Sequence, residues 1–126
     1  MKTVLAIAVG GALGAVARYY VSIGTGVVLG TAFPWGTLVV NLIGCFAMGV
    51  LVELMAITWS LSAELRAFLT VGILGSLTTF SAFSLDVALF HGRGEMLLGG
   101  VYIFASVAAS LGGVFGGMSL LRMVLQ

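Results

Sequence analysis

Gly75-Ser-Leu-Thr-Thr-Phe-Ser-Ala-Phe-Ser84 lies in the middle of an otherwise apolar run long enough to cross a membrane. A stretch built only to dissolve in lipid would be Leu, Ile, Val and Ala throughout. This one carries five hydroxyls, a leading glycine and two phenylalanines three residues apart. No water is present at membrane depth to satisfy such groups, and each one left unpaired costs several kcal/mol. Gly75–Thr79, hydroxyl-rich and poor in helix formers, predicts a break in the helix. Irregular backbone is tolerated at that depth only inside protein or beside a cavity, and its freed carbonyls can coordinate a cation. Phe80 and Phe83 share one helix face. Such a pair is usually packing, but the positive edge of an aromatic ring can also face an anion without a buried cation.

The rest of the chain sets the context. Of its 126 residues, 61% are hydrophobic and 7% charged, which excludes an ordinary soluble fold, where about a quarter are charged. Apolar stretches at 3–23, 35–57, 66–90 and 96–121 predict four transmembrane helices. At about 1.5 Å per residue, each is long enough for a core of about 30 Å. Together they take up nearly the whole chain, so the expectation is a single all-α membrane domain, 1–126. Lys2, the apolar run after it and Ala15-Val16-Ala17 imitate a secretory signal, but three further spans argue for a retained first helix. The lone Cys45 supports no disulfide or metal spacing. The lone His91 falls in a turn, His91-Gly-Arg-Gly94, and there is no basic tract for nucleic acid.

Positive charges set orientation. Lys2, Arg66 and Arg122 belong to one side of a four-span chain, and Arg18 and Arg93 to the other. That bias is almost nil. It leaves open insertion in both orientations, with opposed copies pairing. It leaves equally open that one charge suffices, or that Arg18 faces the protein. Trp35 and Trp59 bracket the second span about 36 Å apart, as interfacial anchors. Tyr19 and Tyr20 mark the end of the first span. Pro34 and the glycines at 24, 26 and 30 predict an irregular first connection, and Ser60, Ser62 and Glu64 an N-terminal cap before the third span.

No catalytic constellation is present: the four acids, one His and one Cys are scattered, so an enzyme is not expected. Gly10/Gly14, Gly112/Gly116 and Gly113/Gly117 have the spacing that lets helices approach closely in lipid. Asn41 lies about two turns inside the second span. Its amide serves either an interhelical hydrogen bond or donation to an anion. Tyr102, Ser106 and Ser110 recur every four residues along one stripe of the fourth helix. That stripe reads as a polar track, or as serines bonded to their own helix beside an interfacial tyrosine.

Three blocks, Gly10-Gly-Ala-Leu-Gly-Ala-Val-Ala-Arg-Tyr19, Gly36-Thr-Leu-Val-Val-Asn41 with Gly44, and Gly72-Ile-Leu-Gly75 leading into Thr78-Thr-Phe-Ser-Ala-Phe-Ser84, resemble the fluoride channel family known as Fluc or CrcB. The likeness covers essentially the full length. It implies a multi-pass protein of the bacterial cytoplasmic (inner) membrane that exports fluoride passively and confers fluoride resistance. It further implies an antiparallel, dual-topology homodimer with two pores and a third helix broken mid-membrane. On the matching positions, Asn41, Phe80 and Phe83 would contact fluoride, and Tyr102, Ser106 and Ser110 would form the hydroxyl track. The backbone carbonyls of Gly75 and Thr78 would hold a structural sodium at the dimer centre, and Arg18 would stand near a pore vestibule. No organic cofactor is implied. Asp86 stands where relatives often have Glu, and Ala82 where Thr is common. A paired-gene heterodimer is the other assembly this family pattern allows. The rival class is a small multidrug-resistance-type proton-coupled exporter, which needs a titratable carboxylate deep in the first span; that span contains none. A non-transporting assembly subunit would need only the glycine faces.

Overall fold

The computed structural model describes residues 1–58 and 60–126; Trp59, the expected partner of Trp35 at the membrane boundary, lies outside them. All regular structure among the described residues is helical. Four helical segments are long and apolar enough to cross a membrane: α1 (Lys2–Leu29), α2 (Trp35–Ile57), α3 (Ala63–Gly92) and α4 (Met96–Leu125). α1 outruns its expected end. Gly24 and Gly26 are helical, and the helix stops only where Gly30 takes φ +84° ahead of Pro34. The expectation of an irregular segment at 24 and 26 is therefore corrected. In apolar surroundings the backbone has no water to bond, so a helix keeps its hydrogen bonds through glycine. His91 and Gly92 likewise belong to α3, and the turn is confined to Arg93 and Gly94.

α3 is locally irregular. Ser62 caps its start, with Oγ accepting from Leu65 N–H at 3.2 Å. After Ala63–Ala67 the chain winds as a π-helix over Phe68–Leu74 and resumes α geometry for Gly75–Leu77. Thr78 (φ −81°, ψ 155°) and Thr79 (φ −154°, ψ 124°) are extended, and Phe80–Gly92 is again α-helical. This is where α3 changes partners. Its first half packs on α1, its second half against α4 and, more sparingly, α2.

Glycine makes two close helix pairs. A Cβ on Gly10 would stand 2.6 Å from the Phe68 carbonyl oxygen, and one on Gly14 would meet the Ile73 carbonyl, so α1 and α3 touch backbone to backbone. α2 and α4 do the same through Gly49 against Val114, and through Gly113 and Gly117 against Leu42 and Phe46. Of the two glycine pairs expected on α4, only Gly113/Gly117 is used this way; Gly112 and Gly116 meet nothing within 4 Å. Few large side chains are fully buried, chiefly Val40, Phe90 and Tyr102, while apolar residues such as Val4, Val27, Leu97 and Phe115 point outward. An outward apolar surface with a thin core is what four helices immersed in lipid require.

Candidate functional site

The extended pair Thr78–Thr79 frees backbone groups that a continuous helix would have used. Thr79 N–H, which would close onto the Gly75 carbonyl, donates instead to Asn41 Oδ1 at 2.7 Å. Asn41 Nδ2 returns a hydrogen bond to the Thr79 carbonyl at 3.0 Å. Ala82 N–H, the helical donor to the Thr78 carbonyl, is taken by the Thr79 hydroxyl at 3.1 Å, which caps the second half of α3. The carbonyls of Gly75 and Thr78 thus both lose their i+4 partners. Thr78 Oγ1 turns back to the Leu74 carbonyl at 2.8 Å. Its methyl lies where a Cβ on Gly44 would be, so Gly44 is what admits Thr78 to the face of α2.

Beside this interruption is an open groove of about 220 Å³ lined by Asn41, Phe80, Phe83, Ser106, Ser110 and two apolar residues of α4. Five of the six residues read from sequence as an ion path meet there. None of the lining residues is charged. Ser106 is buried, and its Oγ has no hydrogen-bond partner among the described residues. Phe80 is 78% exposed, so its ring stands out of the subunit rather than in its core. The Phe80 and Phe83 ring centroids are 5.5 Å apart and tilted by 46°.

Tyr102, the sixth residue, lies behind the groove. It is fully buried, its ring packs on Phe83 at 5.3 Å, and its hydroxyl donates to Asp86 at 2.9 Å. Phe33 and Phe90 also pack on Tyr102, and the Arg93 guanidinium lies over Phe90. A file of rings therefore runs from the α1–α2 connection to the groove. Arg18 lines a separate cleft of about 340 Å³ with Tyr19, Ser22, Thr37 and Thr79. Thr79 faces this cleft on one side and Asn41 on the other.

Sequence reasoning missed two pairings. Asp86 accepts from Tyr102, and Glu53 holds Arg122 through two hydrogen bonds of 2.6 and 3.1 Å across 69 residues. The available signal was that a carboxylate inside an apolar helix demands a partner. Only folding shows which one.

Comparison with known proteins places the chain in a family. Residues 5–118 match the family described as CrcB-like protein, Camphor Resistance (CrcB). A curated protein of Rhodospirillum centenum, named fluoride-specific ion channel FluC, is 56% identical over 122 residues, covering 97% of each chain. A Rhizobium etli protein of the same name is 50% identical over 97% of this chain and 98% of its own. One from Chelativorans is 49% identical over 99% of this chain and all of its own. About half of the residues shared along nearly the whole length, and a family match from the first helix to the last, leave one assignment: the chain belongs to the CrcB family.

Proposed function

We propose that this protein is a fluoride-selective channel, passing the anion out of the cell down its electrochemical gradient without catalysis or coupling. The observation that carries the reading is the uncharged groove in which an amide, two serine hydroxyls and two phenylalanine rings converge. Fluoride is small and tightly hydrated, so a pore must replace its water with strong donors. A formal cation would hold it too firmly to release, and conduction needs binding of intermediate strength. Amide, hydroxyl and ring-edge donors lie in that range. The unpartnered Ser106 hydroxyl fits a role toward a passing anion, since a buried polar group without a partner is otherwise a net cost. The names of the relatives support the same ion. Fluoride enters cells as neutral HF and dissociates inside. An inside-negative potential then drives the anion outward with about 2.3 kcal/mol per 100 mV.

The finer architecture belongs to the same proposal. Two copies insert antiparallel in the bacterial inner membrane as a single-domain, dual-topology homodimer, each face forming one of two pores. The outward stance of Phe80 supports completion of the groove by a second copy. Tyr102 continues the hydroxyl path behind the groove, and Arg18 draws anions toward its cleft. Placed mid-membrane, the Thr78–Thr79 interruption is the broken helix. A sodium ion at the dimer centre would be held by the carbonyls of Gly75 and Thr78 from each copy. The donor set fits, because both carbonyls lack their helical partners, Thr79 N–H being taken by Asn41 and Ala82 N–H by the Thr79 hydroxyl. The break frees the Ser76 and Leu77 carbonyls as well, so the choice of pair rests on the family resemblance. Such an ion, when bound, supplies fixed positive charge that offsets anion desolvation from a distance.

The proton-coupled alternative finds no support in the relatives, and the carboxylates deeper in α2 and α3 are engaged, Glu53 by Arg122 and Asp86 by Tyr102, while Glu64 sits in the first turn of α3. The test is reconstitution in liposomes with efflux driven by a potassium diffusion potential. Fluoride should leave at least about 100-fold faster than chloride, a barrier difference of about 2.7 kcal/mol. Equal chloride leakage, or dependence on a proton gradient, would overturn the reading.

A further inference from the structure

We infer that Asn41 is, besides any contact with the anion, the positioning residue that holds the cation site open. The inference rests on the sodium reading above and concerns how this chain builds that site. The Asn41 carboxamide and the Thr79 peptide form a closed reciprocal pair, with Thr79 N–H donating to Oδ1 and Nδ2 donating to the Thr79 carbonyl. An extended peptide in a sheet is satisfied by a neighbouring strand in much the same manner. Here a single side chain takes the strand's place. The pairing also fixes which way the amide points, because only Oδ1 can accept from the Thr79 N–H.

Three consequences meet at this residue. Thr79 N–H is diverted from the Gly75 carbonyl, so that oxygen is bared for a cation. Thr79 is held extended, which places its hydroxyl to take Ala82 N–H and bares the Thr78 carbonyl in turn. The second Nδ2 hydrogen is left without a partner among the described residues, on a side chain that lines the groove with Phe80, Phe83, Ser106 and Ser110. One amide therefore joins the cation site to the anion path. The energetic reason for an amide here is direct. Without Asn41, Thr79 N–H would be unpaired in an apolar setting unless it closed back onto Gly75, removing one of the cation's oxygens.

The test compares Asn41→Ala, Asn41→Asp and Ser110→Ala in nanodiscs and liposomes, using sodium chloride against N-methylglucamine chloride. Two readouts do not depend on flux: amide exchange at Thr79 in protein labelled with ¹⁵N-threonine, and the shift in thermal midpoint caused by sodium. In Asn41→Ala, Thr79 exchange should quicken at least about tenfold where its N–H is left unpaired, and stay slow only where the N–H closes onto Gly75 at the expense of the sodium response. The sodium concentration for half-maximal stabilisation should rise by a similar factor. Asn41→Asp keeps the acceptor, so Thr79 should stay slow to exchange even as fluoride efflux collapses. Should Asn41→Ala not fold, fast exchange at Thr79 in Asn41→Asp would still overturn the inference. Ser110→Ala should lower efflux and leave both other readouts at wild-type values. A sodium-responsive wild type whose Asn41→Ala variant keeps both its sodium response and its slow Thr79 amide would sink the inference alone. A wild type indifferent to sodium would sink the cation reading before any substitution, and this use of the bared carbonyl with it.

Discussion

Where α1 meets the first half of α3, Gly10, Gly14 and Gly72 bring two backbones together so closely that no side chain fits between them. Where the second half of α3 approaches α2 and α4, rings, hydroxyls and one amide stand between the backbones and leave a groove. The same chain passes from one regime to the other across two extended threonines. Close glycine packing gives van der Waals attraction, the force left between helices once lipid has removed any hydrophobic drive. It also fixes one end of α3 so firmly that the other end can carry unsatisfied groups. The polar strain is tolerated because the glycine-lined half holds the helix in place.

The largest way to break the comparison is to put a side chain into the tight half. Gly14→Val should drive a Cβ into the Ile73 carbonyl and abolish folded protein, a loss beyond about 4 kcal/mol, as for severe overpacking. Gly112→Ala, which meets nothing within 4 Å, should leave the protein intact. The fraction eluting as a single species after detergent extraction reads both. If Gly14→Val extracts normally, the helices are not in backbone contact and the contrast fails.

Next comes the open half. Phe80→Ile should cut fluoride efflux by about 100-fold, or about 2.7 kcal/mol in barrier, with helix content and elution volume unchanged. A ring that is 78% exposed in the subunit contributes little to its core, so efflux is expected to fall without unfolding. Efflux at wild-type rates in this variant would remove Phe80 from the path.

These two tests concern features read with unequal success from sequence. The four helices were legible because their apolar lengths match a bilayer, and the groove because its polar residues are out of place among Leu and Val. The π-helical winding of Phe68–Leu74 was not; it coincides with the seating of Gly72 against Gly10 about 60 residues away, a contact no local pattern encodes. The role of Gly24 and Gly26 was misread for a related reason. Glycine punctuates helices in water, where backbone exposed to solvent is satisfied, and does so far less in lipid. Asn41 was legible as a polar group needing a use, but its partner, a peptide 38 residues on, belongs to the folded chain alone.

A smaller effect is expected at the far end of the α2–α4 pair. Glu53 is nearly buried while the Arg122 side chain is 55% exposed. Arg122→Ala strands a carboxylate away from water, whereas Glu53→Ala leaves a guanidinium that can reach the surface. The thermal midpoint should therefore fall more in Arg122→Ala than in Glu53→Ala, with fluoride-over-chloride selectivity unchanged in both. The reverse order would mean that Glu53 finds water or another donor, and that this end of the glycine-packed pair is looser than its backbone contacts imply.

The subtlest test separates stability from conduction at one atom. Ser106 Oγ is buried without a well-formed hydrogen bond among the described residues, so it adds little to the folded protein and bears part of its desolvation. Ser106→Ala should leave the thermal midpoint unchanged or raise it slightly, while efflux falls several-fold because a donor along the path is gone. Ser110→Ala should act in the same direction on efflux. Ser106 is the groove serine where the two readouts are expected to move oppositely, since its hydroxyl is buried and makes no well-formed hydrogen bond among the described residues. A variant that melts earlier would mean the hydroxyl is satisfied within the subunit, and the open half of α3 would then differ from the glycine-packed half in shape but not in carrying an unmet polar demand.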